Sequence, residues 1–120
     1  MPTPKDPAEL ALVRKAITCG TGGCCEWHAK AEAIFRDEVA LPGQTPLGVK
    51  DDLIEYVSQG GEVKQMKEQR EEYREERAYW YKVVLAVPEL KHGLFIEIIL
   101  VNRDPDLPEV RIVRAKPSTR

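Results

Sequence analysis

The chain has 120 residues, of which 42% are apolar, an ordinary share for a polypeptide that buries one core, so a single domain is expected. Eighteen Lys or Arg against twenty Asp or Glu give a net charge of −2, which excludes the overall positive field that dominates nucleic-acid binding and leaves a local basic patch as the route to it. No apolar run approaches the roughly 20 residues needed to span a bilayer and the N-terminus lacks the order of a secretory signal, so a soluble, cytoplasmic protein with no membrane partner is expected.

Residues 1–6 open an irregular lead-in, MPTPKDP, with three prolines in seven residues. Asp6 caps a first helix that Pro7 begins and that runs to about Ile17. Gly20, Gly22 and Gly23 break the chain, and CEWHAKAEAIFRDEVA reads as a second helix, with Trp27, Ala31, Ile34 and Phe35 at helical spacing. LPGQTPLG is a loop. VKDDLIEYVSQGG reads as a third helix, with Leu53, Ile54 and Val57 inward and Gly60 or Gly61 as its stop, which closes the helical part at residue 61.

Residues 62–117 have the composition of strands. EVKQM starts the sheet, and KQMKEQREEYREERA, with like charges at i,i+4, suits a charged arm, a hairpin or a solvated helix. YWYKVVLAV sets Tyr79, Tyr81, Val83, Leu85 and Val87 on one face, and PELKHG turns the chain. LFIEIILV sets Leu94, Ile96, Ile98 and Leu100 on one face, with Glu97 interrupting the other. NRDPDLP then leads into EVRIVRA. The fold class is α+β, with N-terminal helices packed on one face of a C-terminal antiparallel sheet of three to four strands.

Cys19, Cys24, Cys25 and His28 are soft ligands of the kind zinc selects, but the adjacent Cys24 and Cys25 do not match the spacing of zinc hairpins, and small buried cysteines are the plainer reading. The odd count and the expected reducing compartment imply no disulfide framework. GTGGCC lacks the Gly-Lys-Ser/Thr of a phosphate loop and suits an interhelical turn. His28 and Glu32 stand i,i+4, so a carboxylate can hold an imidazole ready as acid or base, although a boundary histidine fits the same pattern. His92 falls in a polar turn. No motif of zincins, zinc deaminases or serine hydrolases is present. Arg70, Arg74 and Arg77 alternate with glutamates beside Tyr73, Tyr79, Trp80 and Tyr81, a mixture that suits RNA by phosphate contact and stacking, or equally a self-neutralising surface. Lys82 is opposite in parity to Val83 and is expected on the open sheet face with Arg111, where cations stabilise charge on a phosphate. Arg111, Arg114, Lys116 and Arg120 end the chain with no acid among its last ten residues.

The order of these pieces, a helix bearing WHAK, a helix ending in SQGG, a charged arm, then LFIEIIL and PEVRIVRA strands, resembles the small bacterial toxin ribonucleases of the barnase, EndoU, colicin and RelE-like superfamily over residues 25–117. The resemblance is one of layout and carries no diagnostic motif. It implies N-terminal helices on a four-stranded antiparallel sheet and RNA cleavage without a metal or other cofactor. The partners it implies are RNA and a cognate antitoxin. His28, Arg70, Arg77, Lys82 and Ser118 are then the catalytic candidates, and Tyr73, Tyr81, Arg111 and Arg114 the substrate-binding ones. The competing reading is a noncatalytic protein-interaction module, of a phage or accessory kind. A nuclease predicts that His28, Arg77 and Lys82 converge in one cleft, whereas a module predicts that they scatter and that an apolar patch lies exposed.

Overall fold

The computed structural model describes residues 5–19, 24–36, 44–88 and 90–118. Helix α1 (Pro7–Thr18) starts where Asp6 accepts a hydrogen bond from the Glu9 amide through Oδ1 at 3.0 Å, and it buries Glu9, Val13, Ala16 and Ile17 along one stripe. Helix α3 (Pro46–Ser58) is capped by Thr45, whose Oγ1 accepts from the Gly48 amide at 3.0 Å, and it buries Val49, Leu53 and Val57. It stops at Gly60, which has φ 88°; the Gly60 amide donates to the Val57 carbonyl and the Gly61 amide to that of Tyr56, closing the paired bonds of a Schellman cap. Arg14 of α1 donates to the Val57 and Gly61 carbonyls, which ties the two helices at that end.

Five strands form one mixed sheet: β1 (Cys25–Trp27), β2 (Lys64–Lys67), β3 (Tyr79–Val87), β4 (Leu90–Asn102) and β5 (Glu109–Pro117), in the spatial order β1-β5-β4-β3-β2. β2 to β5 pair antiparallel with their neighbours, and β1 runs parallel to β5. Tyr81, Val83, Leu85, Leu94, Ile96, Ile98, Val110 and Ile112 all point to the face that α1 and α3 cover, and with the helix stripes they make a single buried cluster. The α+β class and the one-sided helical layer follow from the periodicities in the sequence; the sheet is wider than three to four strands and not purely antiparallel.

The second helix is the largest correction. Residues 25–27 form the edge strand β1, and only Ala29–Glu32 is α-helical (α2), followed by a 3₁₀ turn at Ala33–Arg36; the rest of the expected helix, residues 37–40, lies outside the described residues. Helix propensity separates ordinary residues by only a few tenths of a kcal/mol. Pairing with β5 buries Cys25 and satisfies the Val110 and His28 amides, which donate to the Cys24 and Ile112 carbonyls at 2.8 Å each, and that outweighs propensity. The residues LKHG, expected in a turn, extend β4, with Leu90 already paired to Val87. Cys19 and Cys24 are joined as a disulfide, against the expectation of none, and they bracket residues 20–23, the glycine stretch of GTGGCC, which lies outside the described residues along with residues 1–4 of the lead-in and 41–43 of LPGQTPLG. Among the described residues no helix is long and apolar enough to cross a membrane.

Gly93 carries a specific demand within β4. Its φ is 82°, and a Cβ there would stand 2.6 Å from the Leu85 carbonyl oxygen. Gly93→Ala is therefore expected to cost about 1–3 kcal/mol, read as a lower urea midpoint with an unchanged slope.

Candidate functional site

The sheet face turned away from the helices is not bare. On it the residues of opposite parity come up: Lys82 of β3 pairs with Glu97 of β4, Glu97 with Arg114 of β5, and Ile99 with Arg111, which in turn neighbours Glu26 of β1. The β4–β5 register shifts between Glu97 and Ile98, so that Val113 and Arg114 together occupy the place of one residue. A bulge of this kind re-aims side chains. Strict alternation would send one of the two to the helical face, but Arg111, Val113 and Arg114 all line the same cleft.

That cleft has a volume of about 720 Å³ and is also lined by His28, Lys30, Arg70, Glu72, Tyr73, Arg77, Glu97, Ile99 and Ala115. Five cationic side chains thus face two lining carboxylates, a local excess of positive charge in a chain whose net charge is negative.

The charged arm between β2 and β3 forms one wall. It is neither a helix nor a loose extension, because Glu68 folds it back on itself. The Glu68 side chain is 1% exposed and accepts from Arg70 Nε at 2.9 Å, Arg70 Nη2 at 3.1 Å and Arg77 Nε at 2.9 Å. Arg70 Nη2 also donates to Glu97 Oε2 at 2.6 Å, so one guanidinium bridges the arm to the central strand. A 3₁₀ turn at Glu71–Tyr73 brings the Tyr73 ring under both guanidiniums, with Arg77 Cζ 4.3 Å and Arg70 Cζ 5.2 Å from its centroid. Burial disfavours the Glu68 carboxylate, but the hydrogen bonds from Arg70 and Arg77 outweigh it and hold the group below its ordinary value of 4.5. Arg70 is correspondingly raised, first by its bonds to Glu68, against burial, and then by Glu97.

His28 stands on the opposite wall as the N-cap of α2. Its Nδ1 accepts from the Lys30 amide at 3.1 Å, so the ring's remaining proton sits on Nε2 and makes that atom a donor. In this form the imidazole offers a hydrogen bond to an anion and has no free lone pair with which to take a proton.

Six of the residues singled out in the sequence, His28, Arg70, Tyr73, Arg77, Arg111 and Arg114, line this one cleft. Lys82 shares the open face but does not line the cleft; its Nζ lies 5.8 Å from the Phe95 ring centroid. Ser118 stands beyond β5, where its amide donates to the Gly93 carbonyl, and it is not part of the cleft lining. Tyr81 cannot contact a substrate here: it is fully buried on the helical side, where its hydroxyl donates to Glu9 Oε1 at 3.0 Å and accepts from Gln65 Nε2 at 2.9 Å. Arg103 donates to the other oxygen of Glu9 at 2.8 Å, which completes a structural network. His92, expected in a turn, is an exposed residue of β4.

Glu97, Glu72 and Glu68 were not among the sequence candidates. Glu97 had a signal, a lone charge within LFIEIILV; Glu68 had none, being one of many glutamates in the arm. The cysteines do not gather with His28, since Cys19 and Cys24 bond each other and Cys25 is buried in the core, its thiol pushed up to about 11 by burial against the pull of Lys50. Among the described residues, no group of three His, Cys, Asp or Glu side chains is placed to hold a metal ion.

Comparisons with protein-family models, with curated proteins and with solved structures give no match, so the chain's own geometry carries the functional argument.

Proposed function

We propose that the protein is a toxin-like, metal-independent RNA endonuclease whose substrate lies across the open sheet face. The observation that carries this reading is the convergence of His28, Arg70, Arg77, Arg111 and Arg114, drawn from three separate stretches of sequence, on one cleft that also holds a carboxylate. In the reaction the ribose 2′-oxygen bonds to the adjacent phosphorus as the bond from phosphorus to the 5′-oxygen breaks. Glu72, exposed at the cleft and in no ion pair among the described residues, takes the 2′-hydroxyl proton. The His28 Nε2–H stays on the ring and hydrogen-bonds to the departing 5′-oxygen, which takes its proton from water, and the hydroxide so formed recovers the proton held by Glu72. Arg70, Arg111 and Arg114 offset the charge that builds on the phosphate oxygens. A cognate antitoxin belongs to this proposal as the partner that covers the cleft with acidic side chains.

Two observations favour a noncatalytic interaction module instead: Lys82 does not join His28 and Arg77 in the cleft, and Arg70, Arg77 and His28 are already engaged, the arginines by Glu68 and the histidine as a cap. Incubation of the purified protein with RNA in the presence of a chelator separates the two. The nuclease is expected to release fragments ending in 2′,3′-cyclic phosphate. RNA left intact at high protein concentration would overturn the nuclease reading in favour of the module.

A further inference from the structure

Beside the cleft, the open face carries two half-buried aromatic rings, Trp80 of β3 and Phe95 of β4, whose centroids lie 6.2 Å apart at an interplanar angle of 58°. They are not isolated from the site. Phe95 is two residues from Glu97 on the same strand and the same face, a step of about 7 Å. Ile99, which lines the cleft, follows Ile98, the partner of Tyr81, so Trp80 and Ile99 come up side by side on adjacent strands.

Two ammonium groups flank the Phe95 ring. Lys116, its register partner on β5, places Nζ 5.3 Å from the ring centroid, and Lys82, the partner of Glu97, places Nζ 5.8 Å from it. The arrangement combines flat apolar rings, cations within reach of a backbone phosphate, and continuity with an arginine-lined channel. Such rings serve the helical core in no way, because they lie on the other side of the sheet. A partner protein with an apolar surface would leave Lys82 and Lys116 to be desolvated at cost, whereas a polyanion with exposed π-faces satisfies rings and ammonium groups together.

We infer that Trp80 and Phe95 form a stacking subsite for an unpaired base of single-stranded RNA, with Lys82 and Lys116 holding the phosphates on either side of that base. This rests on the proposal that RNA lies across the cleft, and it adds that the substrate is single-stranded and contacts the protein beyond the scissile phosphate. The weak contacts of half-buried Lys82 and exposed Lys116 with the Phe95 face give way to the stronger stacking of a base, and the freed ammonium groups turn to phosphate. Duplex RNA, with its bases already stacked on one another, gains nothing from these rings.

The test uses a fully 2′-O-methylated oligonucleotide, which cannot be cleaved by 2′-attack, and a Trp27→Phe background in which Trp80 is the remaining tryptophan. Saturable quenching of Trp80 by the single strand and not by the duplex is expected. Phe95→Leu, which keeps an apolar side chain but removes the ring, is expected to weaken binding about tenfold. Lys82→Gln with Lys116→Gln is expected to reduce the salt slope by about 1.4, at about 0.7 for each lost phosphate contact on a single strand. If Arg111→Ala abolishes binding while Trp80 fluorescence, the Phe95→Leu affinity and the salt slope stay unchanged, the subsite is wrong and the cleft reading survives. If the unsubstituted protein binds no RNA at all, both fall.

Discussion

Replacing Arg70 and Arg77 together by alanine is expected to destabilise the fold by about 3 kcal/mol, a loss of about 10 °C in melting midpoint for a domain of this size. The cost arises because Glu68, 3% exposed, is left buried without a counterion and Glu97, also 3% exposed, loses the guanidinium that pairs with it. Most of it is assigned to Arg77, which is 13% exposed; Arg70 is 37% exposed, so water screens part of its contribution. The pH dependence carries a definite sign. In the native protein Glu68 titrates below 4.5, so its contribution to stability is complete above that pH and is lost as the pH falls through the folded value. In the double variant burial acts alone and raises the carboxyl group, so the penalty is present at neutral pH and shrinks on acidification. Chemical denaturation across the acid range reads both trends. Adding Glu68→Gln to the double variant is expected to return part of the lost stability at neutral pH, since a neutral amide costs less to bury than an unpaired carboxylate.

His28 has two separable duties, and two substitutions separate them. His28→Ala removes the cap of α2 and the Nε2–H donor at once, so it is expected to cost about 1 kcal/mol in stability and to reduce RNA cleavage about 10²- to 10³-fold. His28→Asn restores a side-chain oxygen that accepts from the Lys30 amide, so stability returns while cleavage stays low. Measuring the melting midpoint and the rate on the same samples decides the matter. Recovery of cleavage with His28→Asn would reduce the histidine to a helix cap and move the chemistry elsewhere in the cleft.

What was legible in the chain was whatever repeats at a regular period. Leu53 and Val57, read as inward together with Ile54, and the alternation in β3 and β4 each define a buried face without outside help. The same alternation already places Tyr81 with Val83 and Leu85, on the buried side of the sheet. Short elements were not legible. β1 has three residues, and nothing in Cys-Glu-Trp distinguishes an edge strand from a first helical turn until β5 presents its unpaired backbone groups. The bulge at Val113 and Arg114 has no glycine to mark it, yet it decides that two arginines of β5 face the cleft. The arm is the clearest case of a tertiary cause. Of its many glutamates, Glu68 alone meets two guanidiniums in a buried position, and that choice depends on Glu97, twenty-nine residues away on another strand.

We propose that the open sheet face, and not the helical layer or a sheet edge, receives RNA. Titration of isotopically labelled protein with the noncleavable single strand, followed through backbone amide and arginine side-chain resonances, tests it most directly. Shifts are expected to concentrate at His28, Tyr73, Arg77, Arg111 and Arg114, with Val49, Leu53 and the rest of the α3 stripe unmoved. Shifts centred on α1 and α3, or none at saturating RNA, would contradict it.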